Sequence, residues 1–389
     1  SDSTPDAAVV SDRGAARWVR GHPWIFRSDV IRATGAAGIV PVTDRRGKFL
    51  GQALYSPSSE IRLRLLEPAD RPVNRKWWEA RIRASAARRE GIDATAWRAV
   101  YGEADGLPGL VVDRYDRWLV VQILSAGLVA SLDDIVPALQ HVFEPEGILF
   151  RNDAPVRRRE GLPPEVRLAW GAVPEDIEVR EGGIRYLAAP WTGQKTGAFL
   201  DQRPARLRAG ALMAPGGTAL DCFSYHGSFA LHLAARAGEV LALDSSADAL
   251  ERGSRNARLN GFNNIAWQSG DVFESLRAWE SSGRRFDFIV LDPPAFAKSR
   301  QSIGPAVRGY GEINLRALRL VTPGGILLTA SCSHHVDRSR FVAMLEQAAA
   351  DSGRRIRLEE LLVQGADHPE ILTFPESSYL KGAVLRVIR

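Results

Sequence analysis

Residues 216–244 read GGTALDCFSYHGSFALHLAARAGEVLALD, and this stretch decides the fold of the C-terminal half of the chain. Two apolar runs, Thr218 to Phe223 and Glu239 to Asp244, predict strands. The segment between them, Ser228 to Ala237, predicts a helix. A strand, a helix and a second strand in this order are typical of a βαβ unit, so we predict an α/β domain with a mostly parallel sheet.

The same alternation continues beyond Asp244. Further strands are predicted at residues 265–269, 286–292 and 325–331. Further helices are predicted at residues 247–260, 272–282 and 311–321. Ligands of such sheets bind at the carboxyl ends of the strands, so the residues that follow each strand are the candidates for chemistry.

The N-terminal part has a different texture. Alternating apolar runs at residues 38–42, 49–55 and 61–66 predict a small β-rich module. After a linker at residues 67–72 come a helix at 74–89, a hairpin within 109–123, a helix at 128–143 and a strand at 147–151. This second pattern predicts an α+β module. We therefore expect three domains, at residues 1–70, 74–185 and 190–389.

Composition narrows the class of protein. The 389 residues are 45% apolar and 25% charged, which is typical of folded globular domains. No run approaches the roughly 20 apolar residues that span a bilayer, and residues 1–10 lack signal-peptide features, so a cytoplasmic protein is expected. The two cysteines, Cys222 and Cys332, exclude a disulfide framework and a four-thiolate metal site. A net charge of +5 allows a polyanionic partner without requiring one.

Three aspartates at strand ends indicate the cofactor. Gly227 lets the backbone turn into the next helix, but the loop is not a GxGxxG dinucleotide motif. Asp244 is placed to accept hydrogen bonds from ribose hydroxyls, and Asp271 beside Val272 suits an adenine. Because three acidic strand ends would repel a pyrophosphate, S-adenosylmethionine (SAM) is favoured over NAD or ATP. The alternative is that Asp221, Asp244 and Asp271 only cap helices.

Two further strand ends suggest the chemistry. Asp292-Pro293-Pro294 is a rigid extended segment that suits a planar base, although an ordinary turn is the alternative. Cys332, in Ser331-Cys332-Ser333, places a thiol in the same crevice, although a buried cysteine is usually a small hydrophobe. Cys222 lies within the first strand and is interpreted as core. The adjacent His334 and His335 point in divergent directions, so no metal site is predicted.

These residues resemble a known family, the bacterial PUA-containing class I methyltransferases that make 5-methylcytosine in large-subunit ribosomal RNA, the RlmI type. The resemblance covers nearly the whole chain. It is carried by residues 21–26 (GHPWIF), 103–110 (EADGLPGL), 195–203 (KTGAFLDQR), 221–225 (DCFSY), 291–294 (LDPP), 331–333 (SCS) and 379–382 (YLKG). The chain departs from the family at His226 and Ser228, where Thr and Gly are expected.

The resemblance implies a PUA RNA-binding fold, a central α+β domain and a SAM-binding catalytic domain of Rossmann-like α/β fold. Strand ends and resemblance together assign the cofactor contacts to Phe199, Gln202, Asp221, Ser224, Tyr225, Gly227, Asp244, Ser245, Asp271, Val272 and Pro293. The expected macromolecular partner is ribosomal RNA. The resemblance also implies a homodimer, although no coiled-coil heptad in the chain indicates one.

Cytosine chemistry requires a nucleophile and a group that holds the base. Cytosine C5 is too weak a nucleophile to attack a methyl sulfonium, so a thiolate must first add to C6. Cys332 is the candidate thiol, and Asp292 is the candidate partner of the base edge at N3 and N4. The target base must leave its stack to reach the thiol. The sequence does not identify the base that removes the C5 proton.

Basic and aromatic residues outside the crevice are candidates for RNA contact. Lys298 and Lys381 are expected to contact phosphate, with a solvated surface lysine as the alternative. The arginines of residues 75–89 and 157–159 suggest an RNA track, although charge runs are usually solvated faces. Trp24 and Trp77 are candidates for base stacking.

Two other functions fit the same sequence. One is an rRNA guanine-N methyltransferase on the same fold, which would need no nucleophilic cysteine. The other is a non-catalytic RNA-binding or ribosome-assembly factor that holds SAM as a structural ligand. A small-molecule methyltransferase is disfavoured because about 180 residues of appended modules would have no evident purpose.

Overall fold

A computed structural model describes residues 7–296 and 300–388. Its N-terminal strands and helices are β1 (Ala8–Val10), α1 (Asp12–Val19), β2 (Trp24–Phe26), β3 (Val30–Ala33), β4 (Gly38–Thr43), β5 (Phe49–Tyr55), β6 (Ile61–Glu67) and α2 (Arg75–Ala87). The next are β7 (Ala96–Tyr101), β8 (Leu110–Tyr115), β9 (Trp118–Ile123), α3 (Ala126–Val129), α4 (Leu132–Phe143), β10 (Gly147–Asn152), β11 (Glu165–Gly171), β12 (Ile177–Glu181) and β13 (Ile184–Ala188).

The C-terminal part contains the remaining elements. They are α5 (Arg203–Leu212), β14 (Thr218–Cys222), α6 (Ser228–Ala234), β15 (Glu239–Asp244), α7 (Ala247–Leu259), β16 (Ile265–Ser269), α8 (Val272–Ser282), β17 (Phe286–Leu291), α9 (Ile303–Leu320), β18 (Val321–Ser331), α10 (Arg338–Ser352), β19 (Ile356–Val363) and β20 (Lys381–Val387). Within the described residues no helix is long and apolar enough to cross a membrane.

The chain folds into two compact units. The first comprises Ser1–Val179, Ala188–Leu200 and Ala366–Ser377, and the second comprises Arg180–Leu187, Asp201–Gly365 and Ser378–Arg389. The three predicted domains, with boundaries at residues 1–70, 74–185 and 190–389, stay a prediction.

The first unit contains two sheets. Six strands in the order β2-β6-β5-β4-β1-β3 form the N-terminal β-rich module that the alternating runs predict. Five strands in the order β11-β10-β9-β8-β7 form the second sheet. Helices α2 and α4 contribute Trp78, Ile82, Ile135 and Leu139 to the hydrophobic core of this second sheet. The predicted β-rich and α+β modules are therefore confirmed.

The second unit is built on a seven-stranded sheet in the order β16-β15-β14-β17-β18-β20-β19. The pairs from β16 to β18 are parallel, and β20 pairs antiparallel with both β18 and β19. The parallel part consists of the five predicted strands. The sequence analysis missed β19 and β20, which bring the C-terminal end of the chain into the sheet.

Three predicted boundaries are corrected by the structure. Helix α9 was expected from Gly311 but begins at Ile303. Its glycines and Pro305 resemble helix breakers, yet Pro305 lies in the first turn, where a missing N–H costs nothing. The strand expected from Gly325 begins at Val321. The helix expected over residues 128–143 is divided into α3 and α4 around Ser131.

Candidate active site

The ligand crevice of the second unit is fixed by its strand order. Strand β14 pairs with β15 on one side and with β17 on the other, so the order of the chain reverses at β14. Crevices in open α/β sheets form at this switch point, beyond the carboxyl ends of the strands. Asp221 and Asp292 lie at the ends of β14 and β17, and Cys332 follows β18. The predicted catalytic residues therefore lie at one end of one sheet.

The end of β14 carries buried polar atoms without protein partners. Asp221 accepts a hydrogen bond at Oδ2 from the backbone N–H of Ala230 at 2.9 Å. Its Oδ1, like the buried Oγ of Ser224, has no hydrogen-bond partner in the described chain. Burial raises the pKa of Asp221 well above its usual range, and the nearby Asp292 and Asp244 raise it further. Buried polar atoms without partners are costly, so these two oxygens indicate a ligand with hydrogen-bond donors.

The loop after β14 is held in an unusual backbone conformation. Phe223, Tyr225 and Gly227 all have positive φ angles, of 60°, 51° and 77°. A Cβ atom at Gly227 would lie 2.4 Å from the Trp267 ring, so only glycine fits there. Non-glycine residues with positive φ cost free energy and cluster at ligand sites. The loop is therefore shaped for a ligand at some cost in stability.

The second and third acidic strand ends also serve the backbone. Asp244 accepts from the N–H of Tyr225 at Oδ2 and from that of Ser246 at Oδ1, each at 2.9 Å. Asp271 caps α8 by accepting from the N–H of Glu274 at 2.9 Å. The capping interpretation is thus confirmed for Asp271, which is exposed and precedes the buried Val272. Capping leaves its second carboxylate oxygen available, so its cofactor contact stays a prediction.

Asp292 is oriented by another predicted site residue. The buried Gln202 donates from Nε2 to Oδ1 of Asp292 at 2.8 Å. The next residue, Pro293, is buried, and its carbonyl oxygen lies 4.0 Å from Sγ of Cys332. The ends of β17 and β18 thus bring the proposed base-binding carboxylate and the proposed nucleophile together.

Tyr310 connects these two strand ends, and the sequence analysis did not identify it. This fully buried tyrosine of α9 shares a hydrogen bond of 2.7 Å with Oγ of Ser333. Its hydroxyl also donates to the carbonyl of Pro294 and accepts from the N–H of Phe296, at 3.4 and 3.3 Å. The sequence analysis overlooked Tyr310 because it predicted that the helix begins one residue after this tyrosine.

Lys381 is buried, so the alternative of a solvated surface lysine is wrong for it. Its side chain donates from Nζ to the carbonyl oxygens of Ser333 and Tyr379, at 2.6 and 2.5 Å. Burial lowers its pKa to about 8. The phosphate contact expected of Lys381 stays untested. The other predicted phosphate ligand, Lys298, lies outside the described residues.

Tyr379 and Asp201 are two further polar residues near Lys381. The hydroxyl of Tyr379 donates to Oδ2 of the buried Asp201 at 2.5 Å, and its ring stacks on His334 with centroids 5.1 Å apart. Tyr379 and Asp201 lie in stretches that carry the family resemblance, but the sequence analysis names neither of them as a site residue. Within the described residues no group of three His, Cys, Asp or Glu side chains could hold a metal ion.

Some candidates for RNA contact have structural roles. Trp77 is only 7% exposed and donates from Nε1 to Glu67 at 2.8 Å, so the base-stacking interpretation is wrong for it. Arg89 is buried in an ion pair with Asp105 at 2.6 Å. Arg157 is buried and donates to the carbonyl of Pro163. The exposed basic residues of these two runs include Arg75, Lys76, Arg83, Arg158 and Arg159.

The remaining cofactor candidates are distributed between the units. Ser245 is exposed directly after Asp244. Phe199 belongs to the first unit, where the ammonium of Lys195 lies 4.6 Å from its ring centroid. Both contacts stay predictions.

These side chains fit the chemical groups of SAM. Asp221 Oδ1 and Ser224 Oγ offer acceptors for an ammonium, and the Asp244 carboxylate at the end of β15 offers acceptors for ribose hydroxyls. A family described as S-adenosylmethionine-dependent methyltransferases matches residues 163–373, and a PUA-like domain family matches residues 9–68. Fold and site therefore define a SAM-dependent methyltransferase with an N-terminal PUA-like domain, and SAM is its cofactor.

Relatives with established names narrow the class. A protein named ribosomal RNA large subunit methyltransferase I from Serratia proteamaculans is 38% identical over 388 residues, which cover 95% of this chain and 96% of the relative. The protein of the same name from Klebsiella pneumoniae strain 342 is 38% identical over 406 aligned positions, which cover all of both chains. The chain belongs to the ribosomal RNA large subunit methyltransferase I family, as its resemblance to the RlmI type predicts.

Solved structures share the fold over nearly the whole chain. A putative SAM-dependent methyltransferase from Streptococcus mutans has a TM-score of 0.83 at 21% identity, covering 98% of this chain and 100% of that one. A putative methyltransferase complexed with SAH has a TM-score of 0.85 at the same identity and coverage. At this identity the likeness establishes the fold alone.

Proposed function

We propose that this protein methylates C5 of a cytosine in large-subunit ribosomal RNA, with Cys332 as the nucleophile. The observation that carries the proposal is the position of Cys332, half-buried directly after β18 with its Sγ 4.0 Å from the carbonyl of Pro293. Asp292 precedes that proline and is oriented by Gln202. A guanine-N methyltransferase would need no thiol at this point. The names of the relatives support the class of RNA.

The residues of the chain perform the following steps. The Cys332 thiolate adds to C6 of the cytosine, which forms an S–C6 bond and moves the C5–C6 π electrons towards C5. Asp292 binds the base edge by accepting from the N4 amino group and by donating its carboxyl proton to N3. This proton neutralises the negative charge that develops there and returns to Asp292 when the thiolate is expelled. Bound SAM supplies a methyl group on a positively charged sulfur, and a neutral thioether leaves when the methyl group is transferred to C5. A base then removes the C5 proton, the C5–C6 double bond re-forms, and the thiolate is expelled.

The cofactor is held by the strand ends. Asp221 and Ser224 bind its ammonium, Asp244 binds its ribose, and Asp271 and Val272 lie at its adenine. The predicted contacts of Phe199, Gln202, Tyr225, Gly227, Ser245 and Pro293 complete this set.

RNA binding is assigned to the PUA-like domain and to exposed basic side chains. Arg75, Lys76 and Arg83 lie on the exposed face of α2. If such contacts to phosphate dominate, the affinity for RNA falls steeply between about 50 and 200 mM salt. An affinity that is unchanged over this range contradicts an electrostatic track. A cytoplasmic location and a homodimer remain parts of the proposal, and light scattering of the purified protein tests the dimer.

The decisive experiment labels the product. Purified protein is incubated with methyl-labelled SAM and unmodified large-subunit rRNA, either free or in an assembling particle, and the RNA is digested to nucleosides. Label in 5-methylcytidine is the expected result. Label in a guanosine would keep the fold and the cofactor but would refute the cytosine proposal. No label with either substrate would favour the non-catalytic assembly factor.

A further inference from the structure

Lys381 lies opposite the proposed nucleophile because β20 runs antiparallel to β18. Lys381 is the first residue of β20 and pairs in register with Ser331, the last residue of β18. An antiparallel strand begins at the edge where its neighbour ends, so Lys381 starts at the edge from which Cys332 emerges. The sheet therefore places a lysine beside the residue that precedes Cys332.

The ammonium of Lys381 also bonds the residue that follows Cys332. Nζ donates to the carbonyl of Ser333 at 2.6 Å and to that of Tyr379 at 2.5 Å. Backbone pairing at Ser331 and side-chain bonding at Ser333 thus hold both sides of Cys332. The ring of Tyr379 is fixed in turn through its hydroxyl, which donates to Asp201. The turn that presents the thiol is consequently fixed from the C-terminal end of the chain.

Two carbonyl oxygens do not neutralise this group. The residue is 5% exposed, and an ammonium carries three N–H donors, of which the carbonyls accept two. A buried charge is costly unless an opposite charge lies close to it. Among the described residues, the charged groups that act on Lys381 are Cys332 and Asp337, which favour the ammonium, and Arg338, which opposes it. Asp337 is exposed and caps α10, so the thiolate of Cys332 is the best-placed counter-charge.

We propose that Lys381 is a positioning residue that fixes the Cys332 turn and holds the Cys332 thiol as a thiolate. This inference rests on the proposed function only in that Cys332 is the group that attacks the cytosine. Proton transfer from Sγ to a neutral Nζ breaks the S–H bond, forms an N–H bond and leaves an ion pair with no change in total charge. A compact ammonium suits this position better than the planar guanidinium that the chain uses almost everywhere else.

The test measures the thiolate directly, without RNA or SAM. The rate of Cys332 alkylation by iodoacetamide is recorded against pH in a Cys222→Ala background, which leaves a single thiol. Lys381→Gln keeps side-chain N–H donors but removes the charge, and Lys381→Arg keeps the charge. Arg285→Gln, at an exposed position, is the matched control for the loss of one positive charge. SAM binding and thermal unfolding of every variant establish that it is folded.

Removal of the positive charge of Lys381 is expected to shift the pH profile of Cys332 alkylation to higher pH. In Lys381→Gln the inflection moves by about one pH unit, so the rate at pH 7 falls about tenfold. The Lys381→Arg profile lies closer to that of the parent protein, and the Arg285→Gln profile does not differ from that of the parent. A Lys381→Gln profile equal to that of the parent, or an arginine variant less reactive than the glutamine variant, overturns the proposal.

The two proposals fail in different ways. Label in guanosine, or full methyl transfer by Cys332→Ala, refutes the cytosine function and leaves the alkylation profile unaffected. An unshifted alkylation profile refutes the role of Lys381, whichever nucleoside carries the label.

Discussion

The ends of β14 and β18 carry the only two cysteines of the chain, and the two thiols lie in opposite environments. Cys222 is the last residue of β14, fully buried in the core of the second unit. Cys332 follows the last residue of β18 and is half-buried. The two cysteines differ by one position relative to the end of their strands, and this difference separates a thiol in the core from a thiol in the ligand crevice.

The charges near the two thiols also differ. Burial raises the pKa of the Cys222 thiol well above its usual range, and the neighbouring Asp221 raises it further. Near Cys332, the ammonium of Lys381 bonds the carbonyl of Ser333, the residue that follows the thiol. A carboxylate opposes a thiolate, whereas an ammonium favours one. Under the proposed function these two strand ends, which lie at the same edge of one sheet, have different tasks: cofactor binding at β14 and nucleophilic attack at β18.

The largest expected effect comes from replacing each cysteine separately by alanine. Cys332→Ala is expected to reduce methyl transfer more than about 1,000-fold with SAM binding retained, because no other group can add to C6. Cys222→Ala removes a sulfur from the core and is expected to change turnover less than about threefold while it lowers stability by about 1 kcal/mol. Single-turnover assays with labelled SAM measure both. Comparable losses in the two variants would abolish the distinction between the strand ends.

Asp292→Asn is expected to have the next largest effect. The variant keeps the shape and the hydrogen bond to Gln202 but has an amide in place of the carboxyl group that accepts from N4 and donates a proton to N3, so turnover falls about 100-fold or more. Asp248→Asn, at an exposed position of α7, is the matched control. Turnover is compared at saturating SAM, where weaker cofactor binding cannot imitate the loss. Near-normal turnover in the Asp292 variant would show that the carboxylate does not hold the base.

Asp221→Asn is expected to separate stability from function. The folded-state pKa of Asp221 is raised, so its burial reduces stability as the pH rises above the normal range of an aspartate. Without cofactor, the variant is therefore more stable than the parent at pH 7, and the gain disappears at acidic pH. Its affinity for SAM falls about tenfold because an ammonium loses its counter-charge. Denaturant unfolding and calorimetric titration measure the two effects, and a variant that is less stable at pH 7 would contradict the first.

Tyr310→Phe is expected to have the smallest effect. The variant removes a hydroxyl that bonds Ser333 and the 294–296 segment, and each lost hydrogen bond costs about 1 kcal/mol. Because this hydroxyl connects the ends of β17 and β18, turnover is expected to fall several-fold with SAM affinity unchanged. Tyr186→Phe, at a tyrosine of β13, provides the comparison. Equal turnover in the two variants would limit Tyr310 to a packing role.

Much of the fold follows from local pattern. Strands β14 to β17 and helices α7 and α8 were predicted within one residue at each end, because period and helix caps are local properties. Asp271, for instance, both ends a loop and caps α8. The misses have tertiary causes. The first turns of α9, which contain Tyr310, are rich in glycine. Their helical state depends on the burial of Ala306 and Ile313 in the core.

The sequence predicted the site residues at the strand ends better than it predicted the burial of the residues around them. Asp221, Asp292 and Cys332 follow from strand ends, which periodicity locates. Trp77 was misjudged because an indole beside a basic helix face looks exposed until Glu67 is known to lie against its N–H. The phosphate contact predicted for Lys381 stays a prediction, whereas the sequence did not show that this lysine is buried. Its burial follows from the antiparallel pairing of β20 with β18.

The sequence by itself determined the alternation of strands and helices from β14 to β18, the acidic strand ends, the thiol after β18 and the family to which the chain belongs, since all of these depend on spacing and residue type. The tertiary structure alone decided which polar atoms are buried without partners and which lysine bonds the turn that carries the thiol. Those properties arise from contacts between segments far apart in the chain, such as Lys381 with Ser333 and Tyr310 with the 294–296 segment. Burial and pairing are set by such contacts, and local periodicity carries no record of them.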